Sequence, residues 1–136
     1  MDRLEPSISP METPSKVLIF IEGGGWCGDN DLASTTENCY QRSKTTLGSS
    51  TTYGNTLSVS YGILSDDPSN YFKNWTRAFL KYCTGSGHQG TRTNPVEYKG
   101  SKLYFRGRNV TISQFDALDK MVKIFSSSVS QLVLTG

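Results

Sequence analysis

The segment KVLIFIEGGGWCGDN, Lys16 to Asn30, constrains this chain more than any other. Val17 to Ile21 is a β-branched and aromatic run that reads as a short buried strand. It runs almost directly into Gly23, Gly24 and Gly25, then into a tryptophan and a cysteine. Three glycines after a strand leave main chain that another group can approach closely.

Three readings of that backbone compete. Gly23, Gly25 and Gly28 fit the G-x-G-x-x-G spacing of a dinucleotide loop. Such a loop must open a tightly packed helix, yet Trp26 and Cys27 fill the crowded positions and Asn30 to Ser50 shows no helical period. The acidic residue expected about 20 positions on is also missing, since Thr45 to Ser50 holds neither Asp nor Glu. The second reading is a plain glycine turn that only reverses the chain. In the third, the free N–H groups of Gly23 to Trp26 form an oxyanion hole. Two backbone donors about 2.7–3.1 Å from a carbonyl oxygen stabilise the negative charge that ester cleavage builds there. In α/β-hydrolases one donor comes from a loop after an early strand, and the nucleophile sits on a later strand-to-helix elbow.

Composition limits the rest. With 136 residues the chain has room for one domain or part of a larger one. Its 35% apolar and 19% charged residues describe a loop-rich globular chain. A net charge of +2 with scattered basic residues argues against a nucleic-acid partner, and no apolar run is long enough for a membrane span. MDRLEPSISPMETPSK has acids and prolines where a signal peptide has an apolar core, so no secretion signal is read there. Three cysteines and one histidine match no zinc pattern, and neither metal nor cofactor is expected.

Further strands are expected at Ala78 to Cys83, Lys102 to Arg106 and Gln131 to Thr135. Gly28 to about Asn70, rich in Ser, Thr, Asn and Gly, reads as long connecting loops. Thr111 to Gln114 matches a capping box, and Ile112, Phe115, Leu118, Val122 and Phe125 repeat at helical spacing, which predicts a helix from about Thr111 to Phe125. Strand, helix, strand at the C-terminal end argues for a parallel α/β sheet. The fold class expected is therefore α/β, with residues 1–15 an irregular segment and 16–136 an α/β domain.

Ser86 and His88 in TGSGHQG suggest a nucleophile and base. Neighbours two apart in a glycine-rich loop rarely meet triad geometry, and a polar surface loop is the better reading. Asp66 and Asp67 read as turn formers before Pro68, and Trp75, Phe79 and Tyr82 as core. Asn74-Trp75-Thr76 and Asn109-Val110-Thr111 are glycosylation sequons.

Taken in order, EGGGWC, NCYQRSKTTLGSS, YGILSDDPSNYFKNW, FLKYCTGSGHQG, LYFRGRNV and LVLTG resemble the N-terminal half of the pectin acetylesterase and Notum family of secreted carboxylesterases, the plant-type pectin acetylesterases most of all. The resemblance implies an α/β-hydrolase-like fold and removal of O-acetyl groups from pectin, with acetylated polysaccharide as partner. It places oxyanion donors on Gly24 and Gly25, with Trp26 beside them as donor or pocket wall. It implies a Cys27–Cys39 disulfide and assigns Cys83 to a bond with residues upstream of the glycine loop. In the family a strand like LVLTG leads into a G-C-S-A-G elbow, so Gly136 would be its first glycine. The catalytic Ser, Asp and His would then lie outside these residues, and the chain by itself is expected to be inactive. A Notum-like lipid-acyl carboxylesterase and a non-catalytic polysaccharide-binding remnant are the alternatives.

Overall fold

The computed structural model describes residues 7–8, 14–54, 56, 58–59 and 61–136. It divides into two compact units. One is built on a four-stranded sheet and also takes in Gly54–Lys81 and Gln114–Gly136; the other is formed mainly by Gly23–Tyr53 and Tyr82–Ser113.

The sheet has β1 (Ser7–Ile8), β2 (Lys16–Ile21), β3 (Thr76–Leu80) and β6 (Gln131–Thr135) in the order β1-β3-β2-β6. β2 runs parallel to both neighbours, with Ile19 opposite Ala78 on one side and Leu134 on the other. β1 pairs antiparallel with β3, so the segment read as irregular contributes a strand. Side chains alternate along β2. Val17 and Ile19 pack with Ala78, Leu80, Leu118 and Ile124 on one face, while Leu18 packs with Leu64, Trp75 and Phe79 on the other. Burial on both faces is what an unbroken apolar run such as VLIFI requires of a parallel sheet. Each fully buried Leu or Ile contributes about 1.5–3 kcal/mol relative to exposure. Phe20 stacks on its cross-strand partner Phe79 with ring centroids 5.3 Å apart. β6 is an edge strand of this sheet, and its Leu132 and Leu134 remain exposed.

The helix behind the sheet is α2, Gly107–Val122, four residues longer at its start than the capping box predicts. Thr111 lies inside it, its hydroxyl donating to Gly107 O at 3.0 Å. Gln114 does not reach back to cap; its Nε2 donates to Lys81 O at 2.7 Å. Lys123, with φ 54°, ends the helix in a left-handed residue, which leaves Phe125 outside it and exposed. Phe115, Leu118 and Val122 do face the core, whereas Ile112 is 48% exposed.

The second unit corrects the expectation of continuous loop. Leu32–Ser43 is a 12-residue helix, α1. Asp31 caps it, its Oδ1 accepting from Ala33 N at 2.8 Å and Ser34 N at 2.9 Å. Those bonds, with Ser34 the larger contributor, hold the Asp31 carboxyl below its usual range. Only Cys39 of α1 is fully buried, so no apolar stripe announces it. β4 (Val96–Tyr98) and β5 (Ser101–Leu103) form a separate antiparallel hairpin. The strand expected at Lys102 to Arg106 is therefore shorter and outside the main sheet. Lys99 (φ 47°) and Gly100 (φ 72°) make the two-residue turn with both φ positive, the geometry that suits hairpin twist. Glu37 of α1 accepts from Tyr98 OH at 2.8 Å and Lys99 Nζ at 2.7 Å, which pins the hairpin to the helix.

Candidate active site: the glycine loop

β2 ends at Ile21, and Glu22 N still donates to Leu80 O at 2.9 Å. The chain then leaves the sheet. Gly24 (φ 81°) and Gly25 (φ 65°) both occupy the left-handed region, where a side chain is strained by roughly 1–2 kcal/mol. At Gly24 conformation alone requires glycine, since a β-carbon would meet nothing within 4 Å. At Gly25 space matters too, because a β-carbon would lie 3.2 Å from Arg42 Nη1. The N–H groups of Gly24, Gly25 and Trp26 donate to no described residue, and all three residues are exposed. Successive N–H groups at left-handed glycines with no protein acceptor are ready donors to an oxyanion.

The far side of the loop is held firmly. Cys27 is disulfide-bonded to Cys39 of α1, as the resemblance implies, and Cys27 N donates to Gly85 O at 3.1 Å. Closing a loop of this size contributes about 3 kcal/mol by restricting the unfolded chain. Cys83 is half-buried and takes no part in that bridge.

The segment Thr84 to Gly90 departs from the surface loop expected of it. Thr84 and Gly87 are buried, and Thr84 Oγ1 donates to Gly87 O at 3.0 Å. The Trp26 indole lies against Gly87, whose β-carbon would be 3.1 Å from Nε1. Trp26 is otherwise 71% exposed.

Ser86 and His88 do not form a dyad. Ser86 Oγ is buried without a hydrogen-bond partner. His88 Nδ1 lies 2.8 Å from Thr111 Oγ1. Because the Thr111 hydroxyl uses its one proton on Gly107 O, it accepts from His88, which puts the neutral imidazole's proton on Nδ1. The His88 ring meets Tyr82 edge-on at 5.0 Å, and Tyr82 carries the Arg42 guanidinium over its face at 5.5 Å.

Asp67 forms a turn as expected, accepting from Ser69 N at 2.8 Å and Ser69 Oγ at 2.6 Å, and the Ser69 hydroxyl above all holds its carboxyl low. Asp66 does more than turn the chain, pairing with Arg77 at 2.6 Å. Trp75, Phe79 and Tyr82 are buried, while Asn74 and Asn109 are exposed. Among the described residues no group of His, Cys, Asp and Glu is arranged to hold a metal. Arg42 and Tyr82 are the loop's neighbours at Gly25; sequence reasoning read Tyr82 as core, which its burial bears out, and did not single out Arg42. Arg42 follows Cys39 by three residues, so recognising α1 would have placed it beside the disulfide.

Three parallel strands, the central one buried on both faces and running into a glycine loop, define the chain as an α/β protein of hydrolase-like architecture. The Wnt deacylase Notum from Drosophila shares this fold, with a TM-score of 0.71 and 24% identity over 93% of this chain and 35% of that one. The sequence profile of the pectinacetylesterase family matches residues 9–136, and the chain belongs to that family. Pectin acetylesterase 5 of Arabidopsis thaliana is 34% identical over 122 residues, and pectin acetylesterase 4 is 34% identical over 125. Each alignment covers 88% of this chain but only 26% and 27% of the respective relative, so the chain spans about a quarter of their length.

Proposed function

We propose that this chain supplies the oxyanion-stabilising loop of a secreted serine carboxylesterase that removes O-acetyl groups from pectin. The observation that supports this reading is the pair of left-handed glycines, Gly24 and Gly25, whose N–H groups and that of Trp26 have no acceptor among the described residues. Attack on the acetyl carbonyl by a serine hydroxyl turns the carbonyl oxygen into an alkoxide, and the loop N–H groups donate to that oxygen. No bond within the described protein has to be broken first, because these donors have no acceptor among the described residues. The disulfide and the Cys27–Gly85 bond keep them in place as charge builds.

In this reading the nucleophile, base and orienting acid are supplied from outside these residues, and neither Ser86 nor His88 stands in for them. A disulfide between Cys27 and Cys39 suits an oxidising compartment, and exposed sequon asparagines at 74 and 109 suit the secretory route to the cell wall. Acetate release from acetylated pectin tests the assignment. The chain alone is expected to release none above background, and turnover that disappears in Ser86→Ala overturns it. Carried within an active pectin acetylesterase, Gly24→Ala keeps the N–H but strains the left-handed backbone that aims it by about 1–2 kcal/mol, and is expected to lower kcat by roughly 5- to 30-fold with little change in KM. Retained kcat there removes the loop from the reaction.

A further inference from the structure

Arg42 stands in the last turn of α1, three residues after the disulfide cysteine. Its Nη1 approaches Gly25, its Cζ lies 5.5 Å from the Tyr82 ring centroid, and its Nε is buried with no hydrogen-bond partner. No carboxylate or carbonyl among the described residues accepts from this guanidinium. Arg77 contrasts with it, holding both Asp66 and Leu64 O. The buried Nε is left without a partner, which is unfavourable, while Nη1 and Nη2 stay open to an acceptor from outside the chain. If Arg42 served only to brace the loop, a bond to a loop carbonyl would be the obvious device, and none is present.

We infer that Arg42 receives the carboxylate of a uronic acid ring in the polysaccharide bound at the glycine loop. This rests on the pectin reading above, because pectin is rich in galacturonic acid and presents one carboxylate on each unesterified ring. A planar guanidinium fixed over an aromatic face offers the paired donors that a carboxylate accepts side by side. The oxyanion is served by main-chain N–H groups, and the fixed charge of the substrate is served by Arg42. The loop thereby selects acetyl esters carried on an acidic sugar over those on a neutral one.

The test is titration of the chain with a short oligogalacturonide and with its fully methyl-esterified counterpart, by calorimetry at one low ionic strength. Wild type is expected to prefer the free acid by roughly 10- to 100-fold, the usual range for a charge-assisted hydrogen-bonded pair. Arg42→Gln should bring that ratio close to one, and Lys120→Gln, which removes the same charge at an exposed position on α2, should leave it unchanged. Arg42→Lys keeps the charge and the stem but loses the fork, and is expected to retain only part of the preference; it also decides the matter should Arg42→Gln fail to fold. Three results overturn the inference alone: a preference undiminished in a folded Arg42 variant, one equally diminished by Lys120→Gln, or equal binding of acid and ester by wild type. Binding of neither oligomer by folded wild type overturns the pectin reading together with it.

Discussion

A β-carbon placed on Gly85 would lie 2.1 Å from Sγ of Cys27, well inside contact distance and against a sulfur that cannot move freely. Gly85→Ala is therefore expected to displace the Cys27–Cys39 bridge and to destabilise the chain by about 1–3 kcal/mol or more. Gly23→Ala is the matched control, since a methyl group there meets nothing within 4 Å and Gly23 has no positive φ. Thermal unfolding with mass mapping of the bridge compares the two. Equal midpoints would show that the Cys27–Gly85 contact does not constrain the loop.

Glu37 makes stability depend on acid pH. Its bond from Lys99, followed by those from Gln41 and Tyr98, lowers its pKa from the usual 4.5 to about 2. A carboxylate depressed on folding stabilises fully above its unfolded pKa, and that contribution fades as pH falls from 4.5 toward 2. Unfolding midpoints measured across pH 2–6 should thus fall more steeply in wild type than in Glu37→Gln. The Glu37 and Lys99 side chains are 36% and 52% exposed, so the difference should shrink with added salt. Parallel acid limbs in the two proteins would mean that the hairpin is not held through this carboxylate.

Leu118 and Ile112 separate the true core face of α2 from the one its spacing suggests. Leu118 is fully buried and Ile112 is 48% exposed. Leu118→Ala should cost about 2–5 kcal/mol by denaturant unfolding, whereas Ile112→Ala should stay within about 0.5 kcal/mol of wild type. A reversed order would place the helix on the wrong face.

His88 carries a directly observable mark of its surroundings. With Thr111 accepting from it, the neutral ring should show its proton on Nδ1 in nitrogen-detected NMR, and Thr111→Val should shift the proton toward Nε2. An Nε2 proton in wild type would break the chain of bonds from Gly107 through Thr111 to His88.

Elements that bury themselves through apolar runs were legible in the sequence. VLIFI and QLVLT declare the central and edge strands, and Phe115, Leu118 and Val122 declare a helix. α1 declared nothing, because its burial rests on Cys39 and its ends on the Asp31 cap, and neither produces a period in hydropathy. The start of α2 was displaced because Gly107 and Asn109 are poor helix formers; a β-carbon on Gly107 would sit 1.8 Å from Gly87 O, so close approach rather than propensity explains the glycine. The glycine loop was legible as backbone made accessible. Its surroundings were not, since Arg42 and Tyr82 meet only after α1 has been placed.

The order β1-β3-β2-β6 also sets a timetable. β2 can pair with β3 once Leu80 has been synthesised, but its other flank waits for β6, and the adjoining bond from Ser130 N to Ser15 O spans 115 positions. Closing so long a loop is entropically slow, and until it closes the Lys16–Phe20 side of β2 presents open main-chain groups to other chains. Pulse-labelled hydrogen exchange during refolding should show amides of the β2–β3 ladder protected before those of β6. Simultaneous protection would mean that the sheet assembles in one step. A nascent chain of this sequence is therefore most in need of a chaperone after β3 has paired and before β6 has left the ribosome.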